Sequence, residues 1–156
     1  MTKPIALPRL DDPENATAEN LGSKAGALRH LSRHGFRVPP GFVITQPVLQ
    51  QLGDQLDVTL REAASRLGRG PFAVRSSAAS EDLPGASFAG MYETYLNVDL
   101  DDLGEAVRRG FDSANAERVI AYDIARQPAE QPNPTSTGMA MLVQLMVPAA
   151  AAGVAF

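Results

Sequence analysis

Cysteine is absent from this 156-residue sequence. Its absence excludes a disulfide framework, thiolate metal sites and a thiol nucleophile, and together with the lack of an N-terminal signal pattern it favours the cytoplasm. An excess of basic residues is also absent, because 14 Lys and Arg face 18 Asp and Glu and give a formal net charge of -4. The chain therefore offers no basic field to nucleic acid or to an anionic membrane, and we expect it to bind neither.

One apolar run is long enough to need a membrane test. In residues 139–156, MAMLVQLMVPAAAAGVAF, the only strongly polar side chain is that of Gln144. Pro148 and Gly153 interrupt the run and no charges flank it, so we interpret it as buried strand and not as a membrane span. With 44% apolar residues, the chain can form one soluble domain that buries roughly 70% of its unfolded surface.

Periodicity and capping signals predict an alternation of helices and strands. The first helix begins near Lys24, with Ser23 as its N-cap and Gly35 as its C′ residue. Three more helices are predicted at 54–67, after Asp101 and Asp102, and around ERVIAYDIARQ. Strands are predicted at 42–44, 72–77, 90–98, 139–147 and from 153 onward.

The end of the chain and one connection affect the domain assignment. Residues 127–138 are predicted to be a flexible surface connection. The chain ends inside an apolar strand whose partner would have to come from more chain, so we expect a fragment that can self-associate through its exposed C-terminal edge.

The strand FAVRSS places a positive charge in a mostly apolar sheet. Its period of two puts Phe72, Val74 and Ser76 on one face, and Ala73, Arg75 and Ser77 on the other. A half-buried guanidinium is costly unless it is paired, and its planar fork matches phosphate or carboxylate. The residues leave two interpretations open for Arg75: an anion site, or a structural ion pair with Glu81, Asp82 or Glu93.

A glycine-rich hairpin and one lysine are the other candidate anion ligands. The segment PGASFAG, with its small residues Gly85, Ala86, Ser87 and Gly90, can fold over phosphates, although most hairpins of this kind are only turns. It matches neither the P-loop nor the dinucleotide-binding pattern. Lys24 follows LGS at a helix start, where the helix amides and the ammonium can act on one anion; the alternative is a solvated lysine.

Other arrangements favour structural roles. His30 and His34 are four residues apart on one helix, but no HExxH pattern accompanies them and we expect surface histidines. Met139, Met141 and Met146 are expected in the core. We assign no catalytic residue and no metal ligand within the chain.

Four segments of the chain together resemble successive blocks of the nucleotide-binding domain of phosphoenolpyruvate synthase, pyruvate phosphate dikinase and rifampicin phosphotransferase. These segments are LGSKAGALRHLSRHGFRVPPGFVIT, FAVRSSAASEDLPGASFAGMYETYLNV, ERVIAYDIAR and MLVQLMVPAAAAGVAF. The resemblance implies that residues 1–156 are an incomplete α+β, ATP-grasp-like N-terminal lobe with a mixed or antiparallel sheet and flanking helices. It implies Mg²⁺ and ATP as cofactors. Its implied roles are phosphate binding for Lys24, Arg75 and the PGASFAG hairpin, and adenine binding for the strand containing Gln144, Met146 and Val147.

The chain also departs from this family. Ser23 replaces a usual glycine, Leu145 replaces a common arginine, and the span 45–72 is short. The family's second lobe, which supplies the Mg²⁺ ligands, and its phosphohistidine domain are expected as partners outside this chain, so we expect the chain alone to be inactive.

Three interpretations remain open at this stage. The chain can be the ATP-binding lobe of a phosphotransferase whose relay histidine passes phosphate to pyruvate, an antibiotic or a similar acceptor. It can be a non-catalytic nucleotide- or partner-binding module, or the N-terminal part of an ATP-dependent condensing enzyme of natural-product synthesis.

Overall fold

A computed structural model describes residues 5, 7–12, 18–78, 93–124 and 139–153, together with their side chains other than those of 18–20, 78 and 117–124. The predictions for the hairpin at 84–90, the connection at 127–138 and the last three residues lie outside this part of the chain. The described residues form, in chain order, α1 (Ala18–Arg33), β1 (Gly41–Thr45), α2 (Gln46–Leu52), α3 (Leu56–Ser65), β2 (Phe72–Ala78), β3 (Thr94–Val98), α4 (Leu103–Ile124) and β4 (Met139–Leu145).

The four strands form one antiparallel sheet with the order β1-β4-β2-β3. In this register Arg75 lies opposite Leu142 of β4 and Thr94 of β3, and Ser77 lies opposite Ala140. The predicted α+β class is confirmed, and the sheet is antiparallel at every described pairing.

Helices cover both faces of the sheet. On one face α3 and α4 enclose the larger core, which contains Phe72 and Val74 of β2 and the fully buried Leu60 and Phe111. On the other face α1 packs against β2 and β4, and a smaller cluster contains Leu21, Ala25, Val43, Ala140 and Leu142. The predicted alternation of β2 is therefore confirmed, and Arg75 and Ser77 project toward the side that carries α1.

The first helix begins earlier than predicted, at Ala18 instead of near Lys24, and its break falls at Gly22, directly before the predicted N-cap Ser23. Gly22, with φ 75° and ψ 167°, interrupts α1, so a new helical segment follows it close to Lys24. At the other end Gly35 has φ 83°, its N–H donates to Ser32, and the N–H of Phe36 donates to Leu31. This pair of hydrogen bonds is the Schellman arrangement, and it confirms Gly35 as the C′ residue.

Three other predictions of helices and strands were wrong. The helix α2 was missed, because Pro47 in its first turn and the following 3₁₀ turn at Gly53–Gln55 obscure the periodicity. The two helices predicted after Asp102 are one, α4, since Ala114 is buried against the core through the expected break. β4 ends at Leu145, two residues before its predicted end; of the strand predicted from 153 onward only Gly153 is described, and it is not in a strand.

The first seven residues of the apolar run that needed a membrane test form the inner strand β4, and six of them are buried. Residues 147–153 are exposed, so the prediction of a buried strand was wrong there. Among the described helices, none is both long and apolar enough to cross a bilayer.

Candidate functional site

The start of α1 lies directly against the end of β2. At Gly22 the backbone approaches Ser77 so closely that a methyl group there would overlap the Ser77 carbonyl. The Ser77 hydroxyl is fully buried, accepts the N–H of Ala25 at 3.1 Å and donates to the carbonyl oxygen of Leu21 at 2.8 Å. One side chain of the strand thus bridges the break in the helix.

Lys24 is carried by this turn to the same end of β2. Its side chain is half-buried, and its Nζ donates to the backbone oxygen of Ser76 at 3.3 Å. Since Ser76 follows Arg75, the middle residue of β2, Lys24 meets the strand one residue beyond the other predicted cation.

Arg75 is half-buried in the sheet surface, and its guanidinium is incompletely paired. Its Nε is buried without a hydrogen-bond partner in the described part of the chain. Glu93, one of the ion-pair partners considered from the sequence, instead accepts a hydrogen bond from the Tyr95 hydroxyl. The other two, Glu81 and Asp82, lie outside the described residues. An ion pair between Arg75 and either of them therefore stays open.

A pocket of about 350 Å³ opens beside Arg75 at the end of β4. Its walls are mainly apolar and come from β2, β3, β4 and the segment that follows β4. The lining includes Pro39, Ala73, Arg75, Thr94, Leu96, Gln144, Leu145, Met146 and Val147. Four of the residues predicted to bind a nucleotide therefore border one cavity. Met146, expected in the core, is only partly buried because it lies past the strand on the pocket wall.

The end of β4 is held in place by two proline-containing segments. Gln144 is buried, and its Nε2 donates to the carbonyl oxygen of Pro39 at 3.1 Å. The amide of Met146 donates to the carbonyl of Pro71 at 2.9 Å, and the Val147 carbonyl accepts from Ala149. Within the described residues, the carbonyl of Met146 and the amide of Val147 make no backbone hydrogen bond. Among the described residues, the Met146 carbonyl thus remains as a hydrogen-bond acceptor and the Val147 amide as a donor at the pocket.

Other predicted groups lie away from this pocket or outside the described chain. The hairpin residues lie outside the described chain, and their phosphate-binding role stays a prediction; they are Gly85, Ala86, Ser87 and Gly90. His30 of α1 and His34, the residue that follows this helix, are exposed, with ring centroids 4.3 Å apart. The described residues contain no group of three His, Asp or Glu side chains that could hold a metal ion.

Sequence reasoning missed the contact between Gly22 and Ser77. The glycine before Ser23 and Lys24 signals a special backbone conformation, but nothing local to Ser77 marks it as the residue that meets this glycine.

Residues 46–156 match the family described as pyruvate phosphate dikinase, AMP/ATP-binding domain. The chain belongs to this family. It is 35% identical to the prodigiosin synthesizing transferase PigC of Serratia marcescens, over 98% of the chain and 20% of that protein. It is 31% identical to a rifampicin phosphotransferase of a Streptomyces species, over 94% of the chain and 22% of that protein.

A probable phosphoenolpyruvate synthase of Methanothermobacter thermautotrophicus is also 31% identical, over 86% of the chain and 26% of that protein. The chain thus spans about a fifth to a quarter of the length of these relatives, and membership in the AMP/ATP-binding family confirms the resemblance found in the sequence.

Proposed function

We propose that this chain is the ATP-binding lobe of an ATP-dependent phosphotransferase in which a histidine of another domain is phosphorylated and passes the phosphoryl group to pyruvate, an antibiotic or a similar acceptor. The observation that carries the proposal is the buried Nε of Arg75, which has no partner among the described residues and lies beside a pocket whose other wall is the strand end at Gln144–Val147. Membership in an AMP/ATP-binding family supports the same ligand.

The phosphate groups are assigned to the side of β2 that carries Arg75. Among the described residues the buried Nε–H of Arg75 has no acceptor, and a phosphate oxygen would satisfy it in a charge-assisted hydrogen bond. Lys24 approaches the next residue of the strand, Ser76, from α1 and adds a second positive charge. The hairpin at 84–90 is proposed to close over the phosphates from the end of β2.

The adenine is assigned to the apolar part of the pocket. Leu96 and Val147 are exposed apolar side chains of its lining and can contact the faces of the base. The carbonyl of Met146 can accept from the exocyclic amine, and the amide of Val147 can donate to a ring nitrogen. Gln144 supports this edge by holding Pro39 in the wall.

Mg²⁺ enters the proposal only as the ion that accompanies ATP. The described residues offer no group of three His, Asp or Glu side chains for it, and we assign no residue of this chain to the metal. The second lobe, the phosphohistidine domain and a cytoplasmic location likewise belong to the proposal.

Calorimetric titration of Mg-ATP and Mg-ADP into the purified chain tests the proposal. We expect a dissociation constant in the high-micromolar to millimolar range, which corresponds to a binding free energy on the order of 4–6 kcal/mol. Binding should be this weak because a half-site lacks the contacts of its second lobe. Arg75→Ala should weaken binding by about tenfold to a hundredfold, the value of a hydrogen bond to a charged group, and Lys24→Ala should weaken it as well.

The matched control is Arg61→Ala. This removes an exposed arginine of α3 that pairs with Asp101 on the other side of the sheet, and ATP affinity should not change. Absence of binding by the folded wild-type chain, or equal affinity of Arg75→Ala and Arg61→Ala, would contradict a nucleotide site at Arg75 and favour a non-catalytic partner-binding module.

A second candidate function is the N-terminal part of an ATP-dependent condensing enzyme of natural-product synthesis. The 35% identity with a prodigiosin synthesizing transferase over nearly the whole chain favours it. Both functions use the same ATP pocket and differ in the acceptor. Adding the downstream region of either kind of relative in trans, and measuring which acceptor stimulates ATP consumption, distinguishes them.

A further inference from the structure

The Ser77 hydroxyl is the one polar side-chain atom of β2 that both donates and accepts across the interface with α1, within the described residues. It accepts from the Ala25 amide at 3.1 Å and donates to the Leu21 carbonyl at 2.8 Å. These two backbone groups lie on either side of Gly22, where the helix is interrupted. The hydroxyl therefore replaces the local helical hydrogen bonding that Gly22 breaks, as an N-cap side chain does, but from another element.

The same contact connects the two cations assigned to phosphate. Arg75 and Ser77 lie on one face of β2, two residues and about 7 Å apart along the strand. Lys24 is the residue immediately before Ala25, whose amide the hydroxyl holds. The Ser77 hydroxyl thus helps to fix the position of Lys24 relative to Arg75.

We propose that Ser77 is a positioning residue for the nucleotide phosphates, an inference that rests on the proposed function. Its hydroxyl fixes the turn at Gly22 so that Lys24 and Arg75 act on the same anion. Ser77 does not contact the nucleotide in this account. Gly22 is required because its backbone lies against the Ser77 carbonyl, where a side chain would overlap it.

Ser76 provides a matched control next to Ser77. It is equally buried in the strand but points to the opposite face, and its Oγ has no hydrogen-bond partner in the described part of the chain. Ser76→Ala and Ser77→Ala therefore remove the same atom from neighbouring positions, and only the second removes the contact with α1. The backbone oxygen that Lys24 meets is kept in both variants.

The first measurement is amide hydrogen exchange of the labelled chain by NMR without nucleotide. Ser77→Ala should accelerate exchange of the Ala25 amide by about tenfold, the usual effect of losing a capping side chain, and Ser76→Ala should leave it unchanged. Ser77→Cys, which keeps the side-chain shape but weakens both hydrogen bonds, carries the same test if Ser77→Ala does not fold. Unchanged Ala25 exchange in the folded Ser77 variant would overturn the inference.

The second measurement is ATP affinity in two backgrounds. Ser77→Ala should weaken ATP binding about fivefold to tenfold when Lys24 is present, and should have no further effect when Lys24 is replaced by methionine. An equal loss in both backgrounds would mean that Ser77 acts on the fold and not through Lys24, and would overturn the inference.

Failure of the proposed function is visible separately. If the wild-type chain binds no ATP while the Ala25 amide loses protection in Ser77→Ala, the hydrogen-bonded turn exists, but the nucleotide site and the role of Ser77 in it are both overturned.

Discussion

Replacing Gly22 by alanine would introduce a side chain at the closest approach between α1 and β2. The backbone there has φ 75° and ψ 167°, a conformation used almost only by glycine that costs another residue about 1–3 kcal/mol. The new methyl group would also overlap the Ser77 carbonyl, and moving packed elements apart costs about 1–3 kcal/mol more. We therefore expect the free energy of unfolding to fall by about 2–6 kcal/mol, measured by equilibrium urea unfolding.

The control for this prediction is Gly35→Ala. Gly35 also has a positive φ, 83°, but no atom of the described residues lies within 4 Å of the position its methyl group would occupy. Only the backbone cost of about 1–2 kcal/mol should apply. A loss for Gly22→Ala no larger than that for Gly35→Ala would refute the reasoning, because it would mean that α1 does not lie against Ser77.

Two further predictions concern the core and one titrating group. Phe111→Ala should lower the free energy of unfolding by about 3–5 kcal/mol, because this ring is 1% exposed. The control, Phe36→Ala, should lower it by less than about 1 kcal/mol, because that side chain is 63% exposed. Equal losses of the free energy of unfolding in urea would contradict the assigned core. Burial and the hydrogen bond to Glu93 raise the pKa of Tyr95, so its contribution to stability is complete below the ordinary tyrosine pKa and is lost as pH rises through the raised value. Glu93→Gln removes the negative charge and should lower the pKa of Tyr95 in an ultraviolet titration, and an unchanged pKa would show that the contact is absent.

The parts of the fold with local signals were predictable. β2 was found because Phe72 and Val74 alternate with Ala73 and Arg75, and each set meets a different environment. The end of α1 was found because Gly35 is followed by a polar and proline-rich turn. By contrast, α2 lacks a clear apolar period, and the small polar residues after Phe111 concealed the continuity of α4, which depends on packing of Ala114 against the sheet.

The candidate site was predictable only in part. The charge of Arg75 within an apolar strand signalled an unusual environment, and the sequence resemblance assigned it to phosphate. The pocket beside it depends on residues as distant as Pro39 and Val147, which the sheet order brings together. The contact of Ser77 with Ala25 joins residues 52 positions apart, and a serine in a strand carries no periodic signal that indicates its partner.

The phosphate site at Arg75 is tested directly by the NMR signal of its Nε–H group during titration with ATP, with adenosine as the ligand that lacks phosphate. This N–H is buried and has no acceptor in the described part of the chain. We expect a saturable shift of the Arg75 signal with ATP, little shift with adenosine, and no shift of Arg61 with either. An Arg75 signal that ATP leaves unchanged in the folded chain, or moves no more than that of Arg61, would contradict a phosphate site at this arginine.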